Sequence, residues 1–449
     1  MGQPRQKTVA VVGTGLTGLV TAHLLHQDVQ QRYAVKVLER KEECSLSAES
    51  IALPVSKDGA TKSEWADVPM RAFAGGFYRN LVRLYDYLGV QYHSQQFVFS
   101  FSRLTSTASV PYMAHASNFH ALPPVPHNVD FFAWLLEALY AIFFNIWFTL
   151  CVYYLSPVEH SSTRPAERFG DYLQRGFLPQ YYVSHYLLPL MSSVCTCSHQ
   201  ELLDFPASDV LQYKRRTHGQ PHYVVDSGVR TVQDRLSRGL DISFGVSLSR
   251  VLPKSDGVEV HYTNAAGITS VESFDLVVLA ISPDVVAAVF EPLKDKMERI
   301  PTTVVDTVAH NDTKTLPILS SGERPEQRQS IHFRSSKDGT EAIHEQSLSS
   351  FIVTTNPLTP IDSSSVLKSA TFTRVLRSPE SRRIVNDIFA EDSANQDGTD
   401  EKSTRLWRNG DDGIYLAGGW CWDGMVLLEG CVVSAMRVAS DLDVAIPWM

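Results

Sequence analysis

Glycines near the N-terminus are the residues whose types and spacing indicate chemistry most directly. Gly13, Gly15 and Gly18 form a G-x-G-x-x-G pattern between a short β-branched run and apolar residues at helical spacing. In this setting the first glycine allows a tight turn, the second lets the backbone approach a pyrophosphate, and the third lets helix and strand pack closely. The helix start, at Leu16 and Thr17, offers free N–H groups and a positive dipole end to phosphates. The pattern predicts a dinucleotide site.

A carboxylate follows this motif at the spacing that such a site uses. A second predicted strand, residues 34–38, ends in Glu39, about twenty residues after the last glycine. An acid here accepts the ribose hydroxyls and disfavours a 2′-phosphate, so NADP is the least favoured ligand, although Arg40 leaves it open. The alternative, a glycine turn that binds no nucleotide, is disfavoured because strand, helix and acid occur together.

Composition describes a globular protein and excludes several classes. The 449 residues suffice for two or three domains, with 44% hydrophobic and 20% charged residues. A net charge of −9 without a basic cluster argues against nucleic acid as a partner. Six cysteines in so long a chain suggest no disulfide framework, and the N-terminus passes directly into the first strand without a secretory signal. We expect a cytoplasmic protein.

A second glycine segment lies near the other end, where Gly418 and Gly419 follow a predicted strand and precede a closing helix. The nucleotide-binding domain is therefore predicted in three pieces, 1–72, 206–295 and 405–449. Residues 73–205 and 296–404 would form a substrate domain. Within it, the polar stretches 320–346 and 390–404 are predicted to be flexible.

Five further segments carry motifs: 67–71 (Asp-Val-Pro-Met-Arg), 75–78 (Gly-Gly-Phe-Tyr), 187–190 (Leu-Leu-Pro-Leu), 204–207 (Asp-Phe-Pro-Ala) and 226–230 (Asp-Ser-Gly-Val-Arg). With these motifs in order, nearly the whole chain resembles the flavin-containing amine oxidoreductase superfamily, which includes amine oxidases, phytoene desaturases and protoporphyrinogen oxidases. The likeness is closer to a branch of NAD/FAD-binding proteins, some fused to cyclopropane fatty-acid synthases. It implies an α/β fold: a Rossmann-like FAD-binding domain of the two-dinucleotide-binding-domain flavoprotein type, built from discontinuous segments, plus an α+β substrate domain.

The resemblance also implies FAD and its contacts. In such folds one middle strand presents its backbone to adenine, the next passes the dinucleotide, and the C-terminal glycines close on the pyrophosphate. The closing helix points N–H groups at the flavin C2 carbonyl, where reduction builds negative charge that a helix N-terminus stabilises. An NAD site needs no such helix. The implied cofactor residues beyond the N-terminal motif are Val246, Ala280, Gly418, Gly419, Leu428 and Glu429.

Departures from the family pattern limit how the flavin is attached and which reactions we expect. Covalent amine oxidases attach flavin through a cysteine in Ser-Gly-Gly-Cys-Tyr, whereas Cys421 lies in Gly-Trp-Cys-Trp-Asp-Gly, so we expect non-covalent FAD. Amine oxidases also place a lysine near flavin N5 on the strand that corresponds to residues 302–308, which hold none here. The usual Arg-x-Gly-Gly segment after the acid is missing as well. Amine oxidation by the lysine mechanism is therefore disfavoured.

Candidates for catalysis each have a structural alternative. Trp420, Trp422 and Asp423 follow the pyrophosphate loop and either wall the flavin or serve packing. His310, with Asp312 nearby, could orient a substrate, but a solvated strand end is the favoured interpretation.

A metal site is not expected. Cys195, Cys197 and His199 are three soft ligands close together, yet one turn rarely supplies all ligands of a closed zinc site, so a structural role is favoured.

Residues 129–155 are apolar, with Asp130 and Glu137 as their only charges. Alone, the segment passes for a transmembrane helix. A single crossing would separate two glycine segments that must share one cofactor, and a hairpin broken at Asn145 would leave halves too short to cross. Two interpretations remain: a helix buried in the substrate domain, which we favour, or a helix in the membrane interface that admits a lipophilic substrate.

These observations predict an FAD-dependent oxidoreductase that removes a hydride from a small or lipophilic substrate and forms a C=C or C=N bond. Flavin moves a hydride with little acid–base help, so a missing triad does not exclude an enzyme. One alternative is an NAD-dependent dehydrogenase that uses only the N-terminal motif. Another is a non-catalytic flavin-binding scaffold, with peripheral membrane contact through residues 129–155.

Overall fold

The computed structural model describes residues 5–44, 46, 49–57, 60–104, 111–116, 130–161, 165–317, 328–346, 351–390 and 407–449. Apart from Ala390, the predicted flexible stretch 390–404 lies outside these residues, and so does Val129 at the start of the apolar segment.

The strands are β1 (Lys7–Val12), β2 (Tyr33–Leu38), β3 (Glu49–Lys57), β4 (Ala60–Val68), β5 (Phe73–Ala74), β6 (Tyr92–Ser94), β7 (Gln96–Arg103), β8 (Pro111–Ala116), β9 (His222–Val225), β10 (Asp241–Ser243), β11 (Ser247–Lys254), β12 (Gly257–Thr263), β13 (Thr269–Phe274), β14 (Leu276–Leu279), β15 (Thr302–His310), β16 (Arg328–Ser335), β17 (Thr340–Gln346), β18 (Phe351–Thr355), β19 (Val366–Val375) and β20 (Ile414–Leu416).

The α-helices are α1 (Leu16–His26), α2 (Arg79–Leu88), α3 (Phe131–Tyr154), α4 (Phe169–Arg175), α5 (Gln180–Tyr182), α6 (Leu188–Cys195), α7 (His199–Leu203), α8 (Ala207–Thr217), α9 (Arg230–Leu236), α10 (Pro283–Val289), α11 (Lys294–Met297), α12 (Pro379–Ile388) and α13 (Leu428–Asp441). A π-helical turn, Val183–Leu187, joins α5 to α6.

A five-stranded parallel sheet forms the centre of the nucleotide-binding domain, in the order β10-β2-β1-β14-β20. Numbered along the chain, its strands follow the order 3-2-1-4-5, which is that of doubly wound dinucleotide-binding folds. The order reverses at β1, between β2 and β14. Residues 9–12 and 276–279 are buried, as expected for parallel strands covered on both faces. Ligands in such sheets bind beyond the carboxyl ends at the reversal point.

This sheet is assembled from the start, middle and end of the chain. Between β10 and β14 the chain makes an antiparallel three-stranded sheet, β11-β12-β13. Val246, predicted to lie on a strand that faces adenine, lies instead in the short loop between β10 and β11.

A seven-stranded mixed sheet belongs to the other region, in the order β19-β15-β18-β17-β16-β7-β8. Its β7 and β8 come from before the apolar helix and the others from residues 302–375, joined by the parallel pair β16 and β7. The predicted flexibility of 320–346 is wrong for residues 328–346, which form β16 and β17. These strands are ordered because Ile331, Phe333 and Ile343 are buried within the sheet's core.

The apolar segment forms α3, and its preferred interpretation as a buried helix is wrong. Only Phe148, Cys151 and Val152 of this helix are buried. The helices α4 to α8 and the seven-stranded sheet already form a core, and α3 packs on its surface. Among the described residues it is the one helix long and apolar enough to cross a membrane.

Candidate functional site

The N-terminal glycine loop closes tightly on the neighbouring strand. Gly13 has a φ of +101°, and a Cβ there would lie 2.7 Å from the Ala280 carbonyl oxygen. A Cβ at Gly18 would clash with the Gly13 carbonyl. Ala280 itself donates its N–H to Val12 at 2.9 Å, which fixes β14 beside the loop. Only glycine therefore fits at the first and third motif positions.

Gly15 differs because it faces open space. It caps the N-terminus of α1, and a Cβ at this residue would meet no atom within 4 Å. The next residues, Leu16 and Thr17, are buried at the start of the helix. The first N–H groups of a helix lack intrahelical partners and carry the positive dipole end. An open space in front of them, bounded by glycine, fits a pyrophosphate.

Glu39 lies at the end of β2 beside this loop. Its Oε2 accepts hydrogen bonds from the Thr14 N–H (2.7 Å) and hydroxyl (2.6 Å), and its Oε1 accepts one from the Lys41 N–H (2.8 Å). Because a carboxylate offers about four acceptor positions, room remains for a ribose hydroxyl. The main chain of Glu39 also accepts the Val246 N–H at 2.8 Å, so Val246 lies next to the acid, whereas Arg40 is exposed.

The C-terminal glycine turn reaches the same edge of the sheet. β20 pairs with β14, and the next residue, Ala417, donates its N–H to Leu279 at 3.1 Å. Gly418 donates its N–H to the Ser434 hydroxyl at 3.1 Å, and a Cβ at Gly419 would lie only 3.0 Å from Cys431 Sγ. The C-terminal turn therefore lies against the first part of α13.

The helices α1 and α13 pack against each other. A hydrogen bond between the side chains of Thr17 in α1 and Cys431 in α13 joins their first turns. Leu428 is the first residue of α13, so its N–H belongs to the unpartnered set at a helix N-terminus. Two positive helix ends from opposite ends of the sequence thus meet at the carboxyl edge of the sheet.

Glu429 does not face the proposed cofactor space with its side chain. Its buried carboxylate accepts hydrogen bonds from the Asn80 N–H (3.0 Å), the Asn80 Nδ2 (2.8 Å) and the Leu81 N–H (3.1 Å). These donors belong to the first turn of α2, so Glu429 caps that helix from a distance. The cofactor contact predicted for Glu429 would therefore be made by its backbone alone.

Two arginines lie close to the same helix starts. Burial and the nearby charge of Arg374 lower the pKa of Arg71 to about 10, so Arg71 still carries its charge at neutral pH. Burial raises the pKa of Cys431, and the charges of Arg71 and Arg374 oppose this rise. Both arginines therefore lie beside the first turn of α13. Arg374 also donates its Nε to the Thr196 hydroxyl at 2.8 Å. The pair supplies positive potential at the site.

The tryptophan candidates are packed residues. Trp420 Nε1 donates to the Ile281 carbonyl (3.1 Å) and Trp422 Nε1 to the Met425 carbonyl (2.9 Å). Trp420 is 3% exposed and Trp422 is 8% exposed. A side chain at Gly430 would overlap the Trp422 indole, which therefore lies against the first turn of α13. Both tryptophans shape the loop between β20 and α13.

Arg377 binds the backbone of the loop between β20 and α13. Its Nη2 donates to the carbonyls of Trp420 (3.3 Å), Trp422 (2.7 Å) and Gly424 (2.9 Å), and its side chain is 1% exposed. Its Nε lies 3.7 Å from the buried Asp209 Oδ2.

Asp423, a candidate for catalysis, is used in an ion pair of the same region. Its Oδ1 accepts the Arg382 Nε at 2.6 Å, and Arg382 also lies 3.5 Å from Asp209. The ion pair with Arg382 indicates a structural role for Asp423.

His310 is fully buried in the seven-stranded sheet, so its interpretation as a solvated strand end is wrong. It shares a hydrogen bond with the Thr354 hydroxyl (2.8 Å) and accepts the Asp312 N–H at Nδ1 (3.2 Å). Both ring nitrogens are therefore used within the sheet.

The soft-ligand cluster is also structural. Cys195 and Cys197 are buried, and His199 bonds the Thr340 hydroxyl at 2.8 Å. Among the residues that the structure describes, no cluster of His, Cys, Asp or Glu could hold a metal ion.

Sequence reasoning missed the contributions of Arg71, Arg374, Arg377 and Thr14. The first belongs to a motif segment, and Arg374 and Arg377 stand three residues apart at the end of β19. Two arginines close together at a strand end were the available signal, but their contacts depend on residues far away in the chain.

Comparisons with known proteins agree with this geometry. Residues 11–88 match the sequence model of the NAD(P)-binding Rossmann-like domain, and residues 160–348 match that of the flavin containing amine oxidoreductases. The middle of the chain is therefore similar to the flavin containing amine oxidoreductases, and its start is similar to the Rossmann-like domain. A search of the curated proteins gives no match.

Among solved structures, a protoporphyrinogen oxidase-like protein from Exiguobacterium sp. 255-15 has a similar fold. The TM-score is 0.57 at 16% sequence identity, over 98% of this chain and 99% of the other. At that identity the likeness concerns the fold alone.

The resemblance and the α/β fold class predicted from sequence are thus confirmed. The family match supports an oxidoreductase with a flavin cofactor, while the exact domain boundaries and the cofactor contacts stay predictions.

Proposed function

We propose that this oxidoreductase binds FAD non-covalently and transfers a hydride from a small or lipophilic substrate to the flavin while the substrate loses a proton to solvent, forming a C=C or C=N bond. The observation that carries the proposal is the meeting of the α1 and α13 N-termini where the strand order reverses. An NAD site in such a fold requires α1 and its glycine loop but has no use for a second helix start from the C-terminus.

The residues around this edge suit the parts of FAD. Gly15 and the N-terminus of α1 would receive the pyrophosphate, Glu39 a ribose, and the backbone of Leu428 and Glu429 the flavin carbonyl. Bound flavin supplies a hydride acceptor. The positive end of α13, with Arg71 and Arg374, would stabilise negative charge that builds beside them.

Non-covalent binding is supported by the burial of Cys421. This cysteine lies beside the glycine turn and is fully buried in the core. Burial raises the pKa of the Cys421 thiol well above its ordinary value, which disfavours the reactive thiolate.

The chemistry proposed is not lysine-assisted amine oxidation. The strand β15, Thr302–His310, carries no lysine. With His310 and Asp423 used in structural contacts, hydride removal would depend on how substrate is held against the flavin rather than on a dedicated acid–base pair.

Purified protein tests the cofactor. We expect a yellow preparation whose flavin spectrum is lost from the protein fraction after acid denaturation, with FAD in the supernatant. Colour that stays with the precipitated chain would contradict non-covalent binding. A colourless protein that still binds NADH would favour the NAD-dependent dehydrogenase.

Anaerobic titration separates an enzyme from a scaffold. A panel of lipophilic alkenes, saturated precursors and amines is added to the oxidised protein without oxygen, and the loss of flavin absorbance near its visible maximum is followed. We expect at least one class to bleach the flavin. No bleaching across the panel, while dithionite still reduces the flavin, would favour the scaffold.

A further inference from the structure

We propose that the outer face of α3 docks the protein on the surface of a phospholipid bilayer, without crossing it. The proposal is independent of the reaction proposed above, because it rests on a surface and not on the flavin site.

The outer face of α3 is apolar along its whole length. Large side chains there are strongly exposed, among them Phe132 (71%), Leu136 (69%), Phe143 (60%) and Ile146 (54%). The helix contains 24 residues, and its most apolar stretch has a mean hydropathy of 1.8. Monomeric soluble proteins rarely leave so large an apolar surface uncovered, so this one marks an interaction site.

Polar groups of the helix are turned away from that face. The carboxylate of Glu137 accepts hydrogen bonds from the hydroxyls of Tyr181 and Tyr186, and the Asp130 carboxylate caps the helix by accepting the Phe132 and Ala133 N–H groups at 3.0 Å. Apart from Asn145 and two tyrosine hydroxyls, the exposed side chains of α3 are hydrocarbon or indole. A lipid surface needs no hydrogen-bond partners from them.

Phe177 extends the same surface and is a second, independent sign of it. Its φ is +53°, a left-handed conformation that bulky residues rarely adopt, and its side chain is 84% exposed. It follows Gly176, whose carbonyl accepts the Trp147 Nε1 of α3 at 2.9 Å. Glycine or asparagine would suit this backbone better in water, whereas an aromatic ring suits an apolar contact.

The other face of α3 is fixed to the protein. Phe148, Cys151 and Val152 are buried, and Ala138 and Phe144 pack against the same core cluster. Because this side of the helix packs against the protein, lipid cannot surround the helix, which disfavours a crossing. A helix that exposes one apolar face lies in the plane of the membrane interface.

Basic residues near the C-terminal end of α3 suit lipid phosphates. Arg215 donates its Nε to the Val152 carbonyl at 2.6 Å, and the neighbouring Arg216 is exposed. This local positive edge contrasts with the net charge of −9 for the whole chain. A bilayer surface has an apolar layer bordered by anionic phosphate groups, so it matches both the apolar face of α3 and the positive edge beside it.

Vesicle flotation tests the proposal with the flavin-loaded protein. Vesicles are made of phosphatidylcholine alone, or of phosphatidylcholine with phosphatidylglycerol. We expect the protein to float with both and more strongly with the anionic mixture. The double variant Leu136→Glu/Phe143→Glu should lose about tenfold or more of its vesicle-bound fraction, because charges are costly in an apolar layer.

The matched control is Ile268→Glu/Val304→Glu, which changes two apolar side chains that are similarly exposed, 59% and 67%, but belong to the β12–β13 turn and to β15. It should float like the unchanged protein. Flavin absorbance per chain and circular dichroism verify that both variants fold.

Two results would overturn the proposal. The unchanged protein could remain at the bottom of the gradient with both vesicle types, or the α3 variant could float as well as the control. Light scattering is measured on the same samples. If the protein does not float but forms a dimer that the α3 variant dissociates, the face binds a second copy instead.

Discussion

At the scale of the residue, the three carbonyl contacts of Arg377 explain how the loop between β20 and α13 is held. Arg377→Met would leave these carbonyls without their donor and Asp209 with Arg382, at 3.5 Å, as its remaining cation. Removing one partner of a buried pair costs about 3–5 kcal/mol. Because Arg382 stays beside Asp209, we expect a fall of about 3 kcal/mol in the free energy of unfolding, the lower end of that range. Urea denaturation measures it, and flavin content should fall with it.

Arg383→Met is the control for Arg377. Arg383 pairs with Asp387 at 3.0 Å on the surface, where both side chains are more than 40% exposed. An exposed i,i+4 pair contributes about 0.3–0.5 kcal/mol. Equal destabilisation by the two variants would contradict the assignment of Arg377 as the residue that positions the loop.

Glycine variants separate folding from cofactor binding. Gly15→Val should fold, since a Cβ at Gly15 meets no atom within 4 Å, but its side chain would fill the space proposed for the pyrophosphate. We expect a folded, colourless protein. Gly18→Val should fail to fold, because its side chain would collide with the Gly13 carbonyl. Spectra and circular dichroism distinguish the two; full flavin retention by Gly15→Val would remove the motif from the proposed site.

The sequence predicts these glycines and Glu39 because local geometry requires them. It does not decide the roles of Trp420, Trp422 and Asp423, since their partners come from distant segments. Trp420 bonds Ile281, and Asp423 pairs with Arg382. Residues next to a binding loop in the sequence can therefore support the loop rather than line the site.

At the scale of the element, the α2 and α13 helices are joined by one side chain. Glu429→Ala would remove the cap that the first turn of α2 receives from α13. A lost cap typically costs about 1 kcal/mol, up to about 2, and we expect the upper figure because the site is buried. Glu429→Gln keeps one acceptor oxygen and should lose less. Thermal unfolding of both variants measures the difference, and equal losses would contradict capping through the carboxylate.

The seven-stranded sheet should weaken in acid through His344 of β17. Burial, with the nearby charge of His332, lowers its pKa to about 4, below the ordinary value of 6.5. Between these values the unfolded chain binds the proton and the folded chain does not, so stability falls as pH decreases through this window. A shift of this size corresponds to about 3 kcal/mol at most.

His344→Gln should remove that part of the pH dependence. Glutamine is neutral throughout and can still bond Gln329, which His344 contacts at 2.7 Å. Urea denaturation from pH 7.5 to pH 4 should give a flatter profile for the variant. Parallel profiles would show that His344 is not the titrating group.

The environment of α3 could not be predicted from its sequence. A helix that is apolar on every side satisfies both a buried and a lipid-facing position, because its pattern has no polar stripe to orient it. The outcome depends on whether the rest of the domain leaves room in its core, which is a property of the fold.

At the scale of the whole molecule, the strand order 3-2-1-4-5 explains why the two glycine segments meet. The sequence predicts a nucleotide-binding domain in separate pieces because each piece has a local pattern. It does not predict the seven-stranded sheet, whose β7 and β16 are separated by more than 200 residues and pair in parallel. Long-range pairing of this kind leaves no periodic signal in either segment.

A cofactor at the junction of the start, middle and end of the chain should couple their stabilities. If FAD binds only the folded state, free FAD at a hundredfold excess over its Kd adds about 2.7 kcal/mol of stability. We expect apoprotein, prepared by acid release of flavin, to unfold at a lower temperature and to recover when FAD is added. NAD should have no such effect, and Gly15→Val should respond to neither nucleotide. Calorimetry with increasing FAD measures the shift, and a melting temperature independent of FAD would show that the three segments share no FAD site.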